Sequence, residues 1–346
     1  MLRNRNEQPL YWADHTMSIM QERKLEACAD RLNAALPYGL FDLPDDRDVE
    51  TLWTRSYDAQ EHPRMQRLHT AEELRAQVLA DLPAEMALTS IHEHLLLERV
   101  CAMGGRMPLM DLEESRPAES LVRRMWCVLE WEDDRPHLRL PDALLLPVTR
   151  QLEEPRHQEV REQIARFDAT LRGLMYIAGF LHYQEPLNRL MNEVLRPARI
   201  RCSAGLVKRF FRASYEYTYD DRGDMILLHP GLAQLERIIP TSPMHHAPEV
   251  DQALLMGAVM GMLPGEADIC LRMAQLLEGA VRPELTPVLA VDDLRMLMKQ
   301  GVDLDTLREV LATLLSQQPT QAMYDGLREL YIRTPRWGGL PAAVVQ

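Results

Sequence analysis

Ser203-Ala204-Gly205-Leu206-Val207-Lys208-Arg209-Phe210-Phe211-Arg212-Ala213-Ser214-Tyr215-Glu216-Tyr217-Thr218-Tyr219-Asp220-Asp221-Arg222-Gly223-Asp224-Met225-Ile226-Leu227-Leu228 carries the pattern that decides the fold. Ser203 is a good N-cap, and Leu206 to Arg212 behind it has helical spacing, so a helix is expected to start there. Tyr215 to Tyr219 alternates with period two, as a strand with one covered face does. Asp220 to Asp224 supplies turn residues and Met225 to Leu228 a returning strand. The stretch predicts a helix that runs straight into a β-hairpin.

Upstream, Asp168-Ala169-Thr170-Leu171 opens a predicted helix with Leu174, Ile177, Ala178 and Leu181 on its apolar side. Glu185-Pro186-Leu187 starts a second, short one ending near Leu195. The same order is written once before. Ser90-Ile91-His92-Glu93 is a capping box opening a helix through Leu95, Leu96 and Val100 that stops at Gly104-Gly105. After a short segment, Pro108 to Glu114, Ser115-Arg116-Pro117 starts a helix through Leu121, Val122, Met125 and Trp126. Cys127 to Trp131 and His137 to Leu140 then flank the turn-rich Glu132 to Pro136. Both hairpins leave into proline, at Pro141 and Pro230, and a helix around Val160, Ile164 and Phe167 joins the two copies.

Three helices followed by a hairpin, the third helix running into it, resembles the winged-helix fold over roughly residues 86–141 and 158–230. Ahead of it residues 1–85 read as helical, with a capping box at Thr70-Ala71-Glu72-Glu73. Behind it a run of helices is punctuated by Pro264-Gly265, Pro283, Pro287, Gly301 and Pro319, and the spacing of Gly257 and Gly261 predicts two closely packed helices. The expectation is a mainly α chain: an N-terminal helical region (1–85), a first winged-helix-like module with a small hairpin wing (86–157), a second one (158–240), and a C-terminal helical bundle (241–346). The tail Thr334-Pro335-Arg336-Trp337-Gly338-Gly339-Leu340-Pro341 is similar to that of an uncharacterised bacterial family, commonly from Firmicutes. In that family helical and winged-helix-like modules precede a small SecA-type C-terminal zinc motif. No Cys cluster follows Pro341 here, so the zinc function is not carried over.

Composition bounds the task. Of 346 residues 46% are apolar and 26% charged, ordinary usage for a globular protein of two or three domains, and the net charge is −13. Cys28, Cys101, Cys127, Cys202 and Cys270 are scattered, odd in number and include no CxxC pair, which predicts reduced thiols and no zinc ribbon. The first residues carry charge without the apolar core of a signal peptide, and the longest apolar run, Ala253 to Pro264, has about 12 residues where a bilayer span needs about 20. A cytoplasmic protein without membrane association is expected.

The densest functional signal is charge. Between Val194 and Tyr215 stand Arg196, Arg199, Arg201, Lys208, Arg209 and Arg212 with no Asp or Glu. In a winged helix this covers the approach to, and body of, the third helix, the element such folds place in a DNA major groove, where these cations would contact phosphates. A solvated helix face paired with acidic neighbours is the plainer alternative. The first copy has Arg116, Arg123 and Arg124, but Glu119 stands among them and Glu130, Glu132, Asp133 and Asp134 occupy its wing, where carboxylates repel a phosphate backbone. Asp220, Asp221 and Asp224 make the second wing acidic as well. Tyr215, Tyr217 and Tyr219 project from one strand face, either to stack bases or a partner peptide or to pack on the third helix.

His92 and His94 point apart on a helix; His94 and Glu98 have i,i+4 spacing without further ligands, and His245-His246 lies between prolines. Neither these nor the carboxylates of Phe41 to Asp48 predict a metal. No phosphate-binding, dinucleotide-binding or nucleophile-elbow motif is present, so no cofactor and no catalytic residue is expected. The leading expectation is a non-enzymatic winged-helix-type protein that binds DNA or RNA, or acts in transcription regulation, through residues 196–212. The alternative is a protein-interaction adaptor with structural winged-helix modules, for which an exposed patch of Met256, Met260 and Met262 would speak. A hydrolase without signature ranks third.

Overall fold

The computed structural model describes residues 19–35, 38–44, 46, 49, 70–133, 135–220, 222–232, 250, 252–263 and 265–337. Two helices come first, α1 (Ile19–Asn33) and α2 (Ala71–Met86), then α3 (Ile91–Ala102). Thr70 and Ser90 cap α2 and α3, each accepting the amide hydrogen of the glutamate three residues on, whose carboxylate accepts from the cap amide in return. Strand β1 (Arg106–Pro108), helix α4 (Ser115–Arg123) and the hairpin β2 (Val128–Glu132) and β3 (Arg135–Arg139) follow. Helix α5 (Asp142–Leu152) leads to α6 (Pro155–Ala178), β4 (Phe180–His182), α7 (Gln184–Arg189) with a π-helical turn over Leu190–Leu195, α8 (Ala204–Ser214), and the hairpin β5 (Glu216–Tyr219) and β6 (Met225–Leu228). The described remainder is helical: α9 (Gln252–Val259), α10 (Ala267–Leu276), α11 (Pro287–Lys299), α12 (Leu304–Leu314) and α13 (Gln321–Arg333).

The chain is mainly α with two small antiparallel sheets of the same topology. Their orders are β1-β3-β2 and β4-β6-β5, so in each a short strand from before the third helix adds to the hairpin's returning strand. Leu138 of β3 lies between Met107 and Leu129, and Leu227 of β6 between Leu181 and Tyr217. These third strands correct the expected order. Leu181, assigned above to a helix, is in β4, because α6 stops at Ala178 and Gly179 turns the chain at φ +86°. Asp168 does not start a helix but sits inside α6, paired with Arg172 at 2.7 Å, so the joining helix and its successor are one.

The described residues fall into two compact units, one built from Leu25–Phe167 and Arg189–Tyr215, the other from residues 19–24, Asp168–Asn188 and the described residues from Glu216 onward. The first unit holds α2, α3, β1, α4, β2, β3, α5 and α8 around Leu74, Val78, Leu97, Leu121, Trp126, Leu138 and Val148. The second sheet belongs to the second unit, together with a helical cluster around Leu294, Leu307, Leu311, Leu327 and Leu330. There α9 comes close to α6 at Gly173, whose added Cβ would lie 2.9 Å from Leu255 and from Val259 side chains. The close approach expected of Gly257 and Gly261 is therefore made at Gly173; Gly261 stands past the end of α9. Trp337 is buried against Gly179 and His229 and donates its indole hydrogen to the Tyr176 carbonyl at 2.8 Å. Among the described residues no helix is long and apolar enough to cross a membrane.

Candidate nucleic-acid interface

The basic segment begins at the π-helical turn, where the Arg196 amide donates to the Met191 carbonyl five residues back at 3.0 Å. The turn closes as a Schellman motif: Ile200 N donates to Leu195 O at 2.9 Å and Arg199 N to Arg196 O at 3.1 Å. This puts Arg199 at φ +56°, in the left-handed region. The chain closes α3, α4, α9 and α11 with the same pair of bonds; glycine takes the left-handed position at Gly104, Gly261 and Gly301, and after α4 the buried Met125 takes it at φ +61°. Holding a side-chain-bearing residue in that region costs of order 1 kcal/mol. Arg196, Arg199 and Arg201 are exposed, and none has a carboxylate partner among the described residues. They lead directly into the N-terminus of α8, whose positive dipole end is capped by Ser203 accepting from Leu206 N at 3.2 Å.

The body of α8 is used differently. Arg209 is 6% exposed and pairs with Glu85 of α2, with Asp81 at 3.6 Å; Arg212 is 8% exposed and Lys208 half-buried. Burial pushes the Glu85 carboxyl up, against the pull of Arg209 and Arg124. Helix α4 closes over the other end of α8: Arg116 donates to Ser214 O at 3.1 Å and Arg123 to Arg212 O at 3.3 Å. Arg124 is fully buried, paired with Glu93 at 3.1 Å and 5.5 Å from the Trp126 ring. Burial opposes the Glu93 charge, but Arg124, Ser120 and Ser90 outweigh it and hold the carboxyl below its usual range. The two third helices thus pack on each other, and the six cations divide into an exposed trio, the half-buried Lys208, and the buried Arg209 and Arg212.

The first wing's carboxylates are largely matched. Glu130 meets Arg139 at 2.5 Å and Arg106 at 3.2 Å, and Glu132 meets Arg106 at 2.9 Å. In the second hairpin Asp220 accepts the amides of Arg222 (2.9 Å) and Asp224 (2.8 Å), which hold its carboxyl low and shape the turn. Asp134 and Asp221 lie outside the described residues. Tyr215 is buried against Phe210 and Phe211, ring centroids 6.1 and 5.7 Å away, whereas Tyr217 and Tyr219 are half-buried and meet edge to face at 5.9 Å.

His94 is buried and 3.0 Å from Glu98, as the spacing suggested, with Arg161 Nη1 2.6 Å from its Nε2; burial and Arg161 push its pKa down. Among the described residues no three His, Cys, Asp or Glu side chains come together as a metal site, and His245-His246 lies outside them. All five thiols are free, and burial raises Cys28 and Cys202 to about 11.

One polar cluster had no signal in the sequence, because its members are far apart along the chain. In the second unit Arg295 donates to Tyr176 Oη and to Gly261 O, each at 2.6 Å, and Glu266 accepts from Tyr176 Oη at 3.3 Å and Leu263 N at 2.8 Å. Lys299, 1% exposed, lies 3.6 Å from Glu266 and 4.2 Å over the Tyr176 ring. Burial lowers its pKa to about 8 despite Glu266. The cluster ties α6, α10 and α11 together as an internal brace.

Compared with known proteins, the chain matches no family model, no curated protein and no solved structure.

Proposed function

We propose that this is a non-enzymatic binding protein that engages the phosphate backbone of DNA or RNA through the turn Arg196–Arg201 and the start of α8, while the body of α8 serves packing. The observation that carries the reading is Arg199: an exposed cation held left-handed where three of the four other such helix ends use glycine and the fourth a buried methionine, Met125, immediately after a π-helical turn, itself a rare feature. Arg196 and Arg201 flank it, exposed and without carboxylate partners among the described residues. Because Arg209 and Arg212 point inward, the contact would be to the backbone and indifferent to base sequence. Free thiols and the lack of a membrane-crossing helix among the described residues fit a cytoplasmic place of action.

The test is fluorescence anisotropy with labelled random duplex and single strand at about 50 and 200 mM salt. Three neutralised phosphates give a slope of log K on log salt near −2.7 for duplex, and Arg196→Glu with Arg199→Glu and Arg201→Glu abolishes binding. Absence of binding at low salt would retire the reading. The adaptor reading is favoured by one observation: Met256 on α9 and Met260 just past its end are 58% and 80% exposed, although Met262 packs inward. It requires Met256→Glu with Met260→Glu to leave nucleic-acid binding unchanged and to remove a stoichiometric protein partner.

A further inference from the structure

The body of α8 is where a winged helix would read nucleic acid, and two carboxylates of α2 stand against it. Arg209 pairs with Glu85 and, at 3.6 Å, with Asp81, and Glu85 is itself 1% exposed. Carboxylates facing the basic side chains of such a helix occupy the place of backbone phosphates and satisfy the same charge-assisted pairing. The segment that bears them is weakened locally. Pro83 lies inside α2 between Asp81 and Glu85, so one hydrogen bond of the helix ladder is missing between the two acids. A buried ion pair also gains little net stability over its desolvation cost, which leaves the pair open to competition.

We propose that the Asp81–Glu85 stretch of α2 is an internal phosphate mimic that masks Arg209, and that a polyanion bound first at Arg196–Arg201 displaces it. The inference rests on the phosphate-binding reading and adds its regulation. Docking at the exposed trio raises the local concentration of phosphates next to α8, and the equilibrium between masked and unmasked α8 shifts by the difference in their affinities for the polyanion. Wild-type protein therefore binds weakly and without base preference. The unmasked form presents Arg209 as an additional cation and binds more tightly and with greater salt dependence.

The test replaces the mimic by neutral isosteres, Asp81→Asn with Glu85→Gln, and measures duplex anisotropy beside wild type and the Arg196→Glu, Arg199→Glu, Arg201→Glu variant. Unmasking Arg209 tightens duplex binding at least about tenfold at 50 mM salt and steepens the salt slope by about one. Adding Arg209→Gln removes that gain. A folded Asp81→Asn, Glu85→Gln protein that binds like wild type overturns the mask while leaving the exposed trio judged by its own variant; no binding by any of them overturns both. Should the double variant fail to fold, amide exchange of wild-type residues 84–88 is read with and without saturating duplex. Faster exchange on binding supports displacement, and unchanged exchange overturns it.

Discussion

Arg199 separates stability from binding within a single residue. Replacing it by glycine relieves the left-handed backbone and removes the cation together, so Arg199→Gly is expected to stabilise the protein by about 0.5–1 kcal/mol while weakening polyanion binding. Thermal denaturation beside anisotropy reads both, and a loss of stability would show that the arginine side chain holds the turn. Lys299 has its own signature. Its pKa in the folded chain, about 8, lies below the ordinary 10.5, so between those values the unfolded chain binds more protons and stability rises with pH. Tyr176, pushed upward mainly by burial, works oppositely once the unfolded phenol ionises near pH 10. Glu266, Cys270, Asp292 and Arg295 complete the surroundings. Over the same range the buried thiols of Cys28 and Cys202, about 11 in the folded chain against about 9 unfolded, lower stability as pH rises, so the Lys299 climb of up to about 3 kcal/mol from pH 8 to 10 is read by urea denaturation as the difference between wild type and a variant without Lys299. Lys299→Met with Glu266→Gln should remove the climb.

Elements defined by local chemistry were legible in the sequence, and those defined by distant partners were not. The caps at Thr70, Ser90 and Ser203 and both hairpins follow from neighbouring residues and stand as expected. Strands β1 and β4 have three residues each, too few to show a period, and exist because β3 and β6 offer them a free edge. The joining helix merged with its successor because Asp168, a residue suited to caps, found Arg172 one turn on. The charge of the basic segment was equally legible, but not its division. Helical spacing puts Lys208, Arg209 and Arg212 near one another, while only the packing of α2 and α4 turns Arg209 and Arg212 inward. The π-helical turn yields a prediction at this scale. Deleting the exposed Asn192 should restore α-helical spacing and turn the following segment by about 100°, carrying Arg196 to Arg201 off their present face. Helix content by circular dichroism should hold while nucleic-acid binding falls; undiminished binding would mean that the turn's orientation is irrelevant.

For the molecule as a whole, the net charge is −13, and the segment from Val194 to Tyr215 sets six cations and no carboxylate of its own against that acidic background. Packing, not the repeat, sets its division, since the element order of the second copy contributes α8 to one unit and its sheet to the other. A repeat read from sequence reports shared local order, whereas compactness is decided by which apolar faces meet. The tryptophans turn this division into something visible. Trp126 is buried in the first unit and Trp337 in the second. A protein keeping Trp126 alone of its five indoles would therefore glow for one unit, and one keeping Trp337 alone for the other. If the two emissions shift at the same urea concentration the chain melts as a single cooperative body, and if they part company each unit keeps its own melting point.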